Sequence, residues 1–472
     1  VDINLIKEIK KIINKDDCRC IVLQSPQGSG KNEFIHKLYE GLSYLAPSKI
    51  LVGQQHNKYG GNQLVGFSEI YIGNGEKIIS TFASSAMAHA SDNNLLVVDE
   101  FHKILEFASF AYETTENTLD TINEFCMNNG KVILMSATPE PMIEFFDIVG
   151  YKNVKIDYLV KVIPKNQKKY LNQLVVVPAK AHFINTIKAL QIKNYPSKQV
   201  GLISTKKGLK TIMEGLTIHK CNAIGISAEN RESNSIKPHF ANIVNTGLLQ
   251  HNILNATSFI DCGINLNNYD IDFLYFDGYS VASAKQFFCR ARNSMPTGYI
   301  QLRQLDSIES KQLKYGKIIL YEKLYRNAEY LCQQYEEGLI LDNAMEKIIG
   351  IVKSRNGEYL VSKLAIWCYV KQTQDKHNLS EFEFTSSILE GYYNEIKWYH
   401  SEKYCVSQQK EVQEYLDTFI DKKLYITDTK EIIVKLNNMG IKGTMFKPLM
   451  KRYGYNVENA QNHSWYTIQK KI

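Results

Sequence analysis

Two short stretches of the chain carry residue types whose spacing can do chemistry. The first, Ser25-Pro26-Gln27-Gly28-Ser29-Gly30-Lys31-Asn32, follows a short apolar run (Cys20–Gln24) and precedes a helical pattern from about Glu33. Glycines in such a loop let backbone N–H groups turn inward onto phosphates. The helix N-terminus adds its dipole, and the lysine reaches the outer phosphates of a nucleotide. The second stretch, Leu95-Leu96-Val97-Val98-Asp99-Glu100-Phe101-His102, reads as a buried strand with two carboxylates and a histidine at its C-terminal end. That end is where ligands bind in open α/β sheets. An aspartate there can hold Mg²⁺, and the adjacent glutamate can orient and deprotonate an attacking water. Taken alone, each stretch also reads as a plain turn or a polar strand end. Together they form the two halves of an ATP·Mg²⁺ site. Ser25, Gln27, Gly28, Ser29, Gly30, Lys31 and Asn32 surround the phosphates, with Asp99 and Asn32 at the metal. Asn32 stands where a Ser or Thr hydroxyl normally ligates Mg²⁺. An amide oxygen can ligate too, so the expectation is altered metal geometry rather than lost binding.

The elements around these stretches alternate strand and helix. Apolar positions at helical spacing (Leu5, Ile6, Ile9, Ile12, Ile13) predict an amphipathic helix over 4–15. Lys49–Gly53 reads as a strand leading into the polar Gln54–Asn57, and Glu76–Ser80 as a strand leading into Thr81. A helical stretch after the carboxylates stops at Asn128-Asn129-Gly130. Lys131–Met135 is the next buried strand, ending in Ser136-Ala137-Thr138-Pro139, whose hydroxyls suit a sensor coupling nucleotide state to movement. From about Tyr170 the alternation restarts, with strands at 174–178, 199–203 and 223–227 and a helix at 183–190.

At 472 residues the chain suffices for about two to four domains, and its 44% hydrophobic and 22% charged content is that of an ordinary globular protein. No apolar run reaches membrane-span length and no signal peptide shows, so no membrane partner is expected. The chain begins at Val1 without Met, as expected of a processed form or of a piece of a longer protein, the latter favoured. Nine scattered cysteines, none in zinc-ligand spacing, point to a reducing cytoplasm. A net charge of +7 permits a polyanionic partner without demanding one.

The order P-loop, Asp99-Glu100-Phe101-His102, Ser136-Ala137-Thr138 resembles the first RecA-like domain of superfamily-two helicases of the DExH branch. The resemblance implies a second RecA-like domain that supplies arginines across a cleft. Within 253–265, Thr257 and Gly263 resemble the family's fifth motif, a turn touching nucleic-acid backbone and nucleotide. Gln286-Phe287-Phe288-Cys289-Arg290-Ala291-Arg292 resembles its sixth, with Cys289 in place of Gly. Two of only eight arginines fall here, and a planar, permanently charged fork suits charge developing on a transferring phosphoryl group. By itself Arg-Ala-Arg reads as a solvated helix face; in this order it reads as the arginine pair. The resemblance covers about two thirds of the chain. It implies catalytic roles for Lys31, Asp99, Glu100, Gln286, Arg290 and Arg292, coupling through His102, Ser136 and Thr138, and a nucleic-acid grip at Gln54, Thr81, Ser204, Lys206 and Thr257.

Beyond Ser307 the pattern turns helical (312–335, 341–352) and dense in aromatics, among them Trp367, Tyr369, Tyr392, Tyr393, Trp398 and Tyr399. At this spacing such rings are core more often than base-stacking platforms. Near the end, helix Asp428–Asn438, helix Thr444–Tyr453 and a hairpin of 455–457 with 465–468 have the shape of a winged helix. Lys447, Lys451 and Arg452 on its second helix would face nucleic acid. The tail resembles the winged-helix ends of viral and plasmid helicase-primase proteins. The expected fold class is therefore α/β: two tandem RecA-like parallel-sheet domains (1–155 and 156–305), a helical region (306–415) and a C-terminal winged helix (416–472). Three functions follow: a DNA helicase or translocase in replication of a virus, plasmid or other mobile element, which is favoured; an RNA helicase or RNA-dependent ATPase; or an ATPase-poor DNA-binding scaffold. The first implies single-stranded or forked nucleic acid and replication proteins as partners.

Overall fold

The computed structural model describes residues 3–26, 29–39, 41–65, 76–89, 93–108, 111–162, 168–179, 182–257, 264–304, 316–354, 356–399, 406–438, 446–447, 450, 455–459 and 465–470. The chain divides into two compact units, Val1–Lys397 and Trp398–Ile472.

The first unit holds two lobes, each built on a seven-stranded sheet. In the first lobe the strands are β1 (Cys20–Gln24), β2 (Ser43–Ala46), β3 (Asn62–Leu64), β4 (Ile78–Thr81), β5 (Leu95–Asp99), β6 (Lys131–Ser136) and β7 (Tyr158–Lys161). They run in the order β3-β4-β2-β5-β6-β1-β7, and every neighbouring pair is parallel. Alternate residues feed opposite faces, as the period of two requires. Val22, Leu96, Val98, Val132 and Leu134 enter one apolar core, while Ile21, Leu23, Val97, Ile133 and Met135 enter the other.

The second lobe comprises β8 (Leu171–Val177), β9 (Lys198–Ile203), β10 (Ala223–Ile226), β11 (Ile253–Ala256), β12 (Ile271–Asp277) and β13 (Thr297–Gln301). After the short hairpin of β14 (Ile351–Lys353) and β15 (Tyr359–Val361), the strand β16 (Tyr393–Trp398) completes its sheet. The order is β10-β11-β9-β12-β13-β8-β16. Counting strands along the chain, both sheets read third, fourth, second, fifth, sixth, first, seventh. The two lobes thus repeat one topology, and the fold is the tandem RecA-like α/β architecture expected.

Two expected elements are corrected. Lys49–Gly53 is no strand but the start of a helix, Lys49–Tyr59. Ser48 caps it by accepting from Leu51 N at 3.3 Å, and the buried positions Leu51, Val52 and Gln55 lie on one helical face. The true second strand is one element earlier, at Ser43–Ala46. The helix expected over 341–352 is a single turn, Asp342–Met345, followed by β14.

Helices Lys317–Glu336 and Lys363–Asn378 do not stand apart from the lobes. Leu320, Tyr321, Leu364, Ile366, Trp367 and Val370 fill the same core as β1, β5 and β6. Trp367, fully buried, donates from Nε1 to Pro141 O at 3.0 Å. The core reading of that ring holds.

The second unit contains helix Val406–Asp417, β17 (Leu424–Tyr425), helix Ile426–Asn438, β18 (Tyr455–Asn459) and β19 (Trp465–Lys470). Its sheet runs β17-β19-β18, with Leu424, Ile432, Leu436, Tyr455 and Ile468 in its core. Most of the expected helix Thr444–Tyr453 lies outside the described residues, as do Lys451 and Arg452. Among the described residues no helix is long and apolar enough to cross a membrane.

Candidate active site

In the first sheet β6 lies between β1 and β5, so the two motifs flank the Ser136 tip of β6, with neighbouring strands about 4.8 Å apart. Gly30 (φ 82) turns the chain from the loop into helix Lys31–Leu38 in a left-handed conformation that glycine adopts without steric cost. Ser25 is buried; its N–H donates to Ser136 O (3.1 Å) and its hydroxyl accepts from Ser29 Oγ (3.0 Å). Gln27, Gly28 and Gly263 lie outside the described residues.

Lys31 Nζ lies 3.3 Å from Asp99 Oδ1 and 2.9 Å from Glu100 Oε1. Burial alone would lower the ammonium's pKa, but the two carboxylates outweigh it and hold it above the ordinary lysine value. Glu100 itself has φ 51, a left-handed conformation uncommon for a non-glycine residue. Such strain clusters at functional sites and costs on the order of 1–3 kcal/mol. Asp99 Oδ1 also accepts from Glu100 N at 3.0 Å. Its Oδ2 accepts from Asn32 Nδ2 (3.1 Å) and from the buried Tyr44 hydroxyl (2.6 Å). Burial and the Asp99 charge push the Tyr44 pKa well up, so the phenol stays a donor.

Asn32 Oδ1 is buried with no hydrogen-bond partner among the described residues. An orphaned amide oxygen beside a carboxylate is a donor set that fits a hard cation. Among the described residues no group of three or more His, Cys, Asp or Glu could hold a metal. Mg²⁺ here would thus share its shell with phosphate oxygens and water, as it usually does.

From the second lobe, helix Val281–Phe288 brings Gln286 to this site. Its Nε2 is 3.4 Å from Glu100 Oε2 and 2.6 Å from His102 Nε2. With His102 Nε2 accepting from the Gln286 amide, Nδ1–H donates to Ser136 Oγ (2.8 Å), which also accepts from Thr138 N (2.9 Å). The three residues expected to couple hydrolysis to movement thus join one chain of contacts that crosses between lobes.

A cavity of about 470 Å³ lies between the lobes, within the usual range of small-molecule sites. Gly30, Lys31, Asn32, Asp99 and Glu100 line one wall, and Asn265, Arg290 and Arg292 the other. Leu266 N donates to Arg290 O and Arg292 N to Leu266 O, both at 2.9 Å, so the arginine segment is pinned as a β-bridge. Arg292 Nε donates to Asn265 Oδ1 at 3.0 Å. Burial and then Arg290 lower the Arg292 pKa. Cys289 is buried at φ −85, a conformation open to any residue, so the backbone there needs no glycine.

The expected nucleic-acid residues separate on inspection. Gln54 lies on helix Lys49–Tyr59 and lines the interlobe cavity rather than a strand tip. The tip of β2 instead carries Pro47, Ser48 and Lys49. Thr81 is buried at the tip of β4, its hydroxyl 3.4 Å from Ser84 Oγ. Ser204 donates to Asp277 Oδ2 from Oγ (2.7 Å) and N (3.1 Å), which ties β9 to β12. Lys206 pairs with Glu229, and Thr257 follows β11, its N–H donating to Ile226 O at 3.1 Å. Lys447, exposed in the second unit, stands 5.9 Å from the Tyr466 ring centroid. Two residues escaped the sequence reading. Tyr44 would have been found had β2 been recognised. The other is Tyr279, exposed beyond the β12 tip, with the Arg303 guanidinium 4.5 Å from its ring centroid.

No protein-family model and no curated protein matches the chain. Among solved structures it is similar to S. cerevisiae Dbp5 bound to RNA and ADP BeF3, at 13% identity over 66% of this chain and 87% of that one, with TM-score 0.47. It is also similar to DEAD-box helicase Mss116 bound to ssRNA and UDP-BeF (15%; 81% and 90%; TM-score 0.47). A third is the DUF1998 helicase MrfA bound to DNA (15%; 77% and 60%; TM-score 0.44).

Proposed function

We propose that this protein is a nucleic-acid-dependent ATPase working as a helicase or translocase, with DNA as its favoured polymer in replication of a virus, plasmid or other mobile element. The observation that carries the reading is the Lys31 ammonium bridging Asp99 and Glu100, opposite Arg290 and Arg292 across the interlobe cavity. ATP phosphates at the start of helix Lys31–Leu38 take Lys31 as their cation. Asp99 and Asn32 would hold Mg²⁺, which would supply positive charge to the phosphates. Glu100, steadied by Gln286, orients the attacking water and accepts its proton. Arg290 and Arg292 stabilise charge on the transferring phosphoryl group, so hydrolysis depends on the lobe contact. The strand tips grip one nucleic-acid strand through its phosphates, which makes binding sequence-independent and salt-sensitive. The second unit, read as a winged helix with the exposed Lys447 available to a phosphate backbone, inclines the choice to DNA. We place the protein in the cytoplasm, bacterial or in a virus-infected host cell, where replication proteins are its further partners.

Steady-state ATPase activity, with and without single-stranded DNA or RNA, tests this for the wild type and Glu100→Gln. Stimulation by DNA, lost by a factor of about 100 or more in the variant, is the expected result. Greater stimulation by RNA moves the reading to an RNA-dependent ATPase. Tight DNA binding with no hydrolysis leaves only a scaffold.

A further inference from the structure

The segment after the two lobes is fastened to both of them. Helix Lys363–Asn378 buries Trp367 and Val370 in the first-lobe core, and Lys371 Nζ reaches Glu144 Oε2 of that lobe at 3.4 Å. Eight residues beyond Trp367, about 12 Å along the helix, Asp375 meets the other lobe: Val281 N donates to Asp375 Oδ2 at 3.1 Å. Chain beyond it continues on the second lobe. Arg303 N donates to Leu379 O (2.8 Å), and Tyr170 N and Leu171 N donate to Tyr392 O (2.9 and 2.8 Å). Val281 is the first residue of the helix that carries Gln286. The opening N–H groups of a helix lack intrahelical acceptors, and its dipole favours an anion there. Ser280 caps Ser283 N, and Asp375 supplies the other acceptor.

We propose that Asp375 is a positioning residue for hydrolysis: anchored on the first lobe, its carboxylate fixes the start of the second-lobe helix that presents Gln286 to Glu100 and His102. The inference rests on the ATPase reading above and extends it to a part of the chain outside the motor motifs. The charged groups acting on Asp375 are Lys371 on its own helix, Lys285 on the Gln286 helix, and Glu144, while Glu106, paired with Lys103, acts on the nearby Cys368 as Asp375 does. Burial pushes the Asp375 carboxyl up to about 6; Lys371, the Val281 N–H and Lys285 oppose the rise, and Glu144 adds to it. Protonation below that pH removes the charge that holds Val281. Stability runs the other way. A carboxyl titrating higher in the folded state than its unfolded value of about 3.9 favours the fold most below that value, and this contribution is lost as pH rises through about 6. Acid loss of turnover without acid loss of stability from this group therefore separates positioning from a purely structural role.

The test is DNA-stimulated ATPase against pH for the wild type, Asp375→Asn and Asp375→Glu, with amide hydrogen exchange over 281–288. Wild-type kcat should fall through an acid limb near pH 6. Asp375→Asn should lose about tenfold in kcat at pH 8, with KM for ATP within about twofold and the limb gone. Asp375→Glu, which keeps the charge, should restore the limb. In a Gln286→Ala background Asp375→Asn should cost nothing further, because both act through one contact. Exchange at 281–283 should rise about tenfold in Asp375→Asn. An unchanged kcat with the limb intact overturns the proposal, and so does unchanged exchange. If the wild type hydrolyses no ATP, the function proposed above fails and the role in hydrolysis with it, and exchange alone still decides whether Asp375 fixes the start of the helix.

Discussion

Asp99 is held by Lys31, Asn32, Tyr44 and the Glu100 N–H, and among these Tyr44 touches nothing in the cavity. It shapes the site only by fixing the carboxylate. With Asp99 the Mg²⁺ ligand proposed above, a partner that orients it in this way is typically worth about 10- to 100-fold in metal affinity. Tyr44→Phe should therefore raise the Mg²⁺ concentration giving half-maximal ATPase by about tenfold, with the ATP requirement at saturating Mg²⁺ little changed. A Mg²⁺ titration of the variant checks this, and an unshifted midpoint would assign Tyr44 to packing alone. The neighbouring His36 ring stacks 5.0 Å from Tyr44 and 4.2 Å from Tyr59. Burial, then Lys77, lowers its pKa to about 4, so it stays neutral beside the site at physiological pH.

Helix Lys49–Tyr59 shows how capping decides between competing patterns. Lys49-Ile50-Leu51-Val52-Gly53 has the apolar, branched composition of a strand, yet Ser48 and Gly60 bound a helix around it. Ser48→Ala removes the acceptor for Leu51 N and should cost about 1 kcal/mol, read as a lower melting midpoint. Because Gln54, Gln55, Lys58 and Tyr59 of this helix line the interlobe cavity, the same variant should weaken ATP binding. Loss of stability with ATP binding unchanged would show that the helix frays without disturbing the cavity wall.

At the scale of the molecule, the segment from Lys317 to Trp398 is part of the two-lobed unit. Its helices complete the core of one lobe and its last strand completes the sheet of the other. The remaining unit has a core of its own. A chain ending at Tyr399 should therefore stay folded and hydrolyse ATP at the basal rate of the full chain, with reduced affinity for DNA. Ending it at Gln304 should expose the first-lobe apolar surface that Trp367 covers and give an insoluble or unfolded product. Circular dichroism and ATPase measurements on the two truncations distinguish these outcomes.

Much of the site was legible in the sequence because its determinants are local. A glycine turn at Gly30, Lys31 at a helix start, and Asp99-Glu100 at the end of a buried run each depend on a few consecutive residues, so type and spacing suffice. The tandem α/β architecture was legible for the same reason, since the strand–helix alternation simply restarts. Other features depend on which strands lie side by side. Tyr44 reaches Asp99 because β2 pairs with β5, a strand well downstream in the chain. Gln286 reaches His102 because two lobes meet, and Cys289 can stand where the resembling motif has a glycine because the backbone there has negative φ. Ser204 and Thr81 carry the residue types that grip phosphates, yet packing engages Ser204 with Asp277 and buries Thr81. Asp375 bears no motif; what gives it a role is a helix anchored in one lobe that meets the first turn of a helix in the other. Local chemistry determined what the site is made of, and only tertiary contacts decided which neighbours hold it in place.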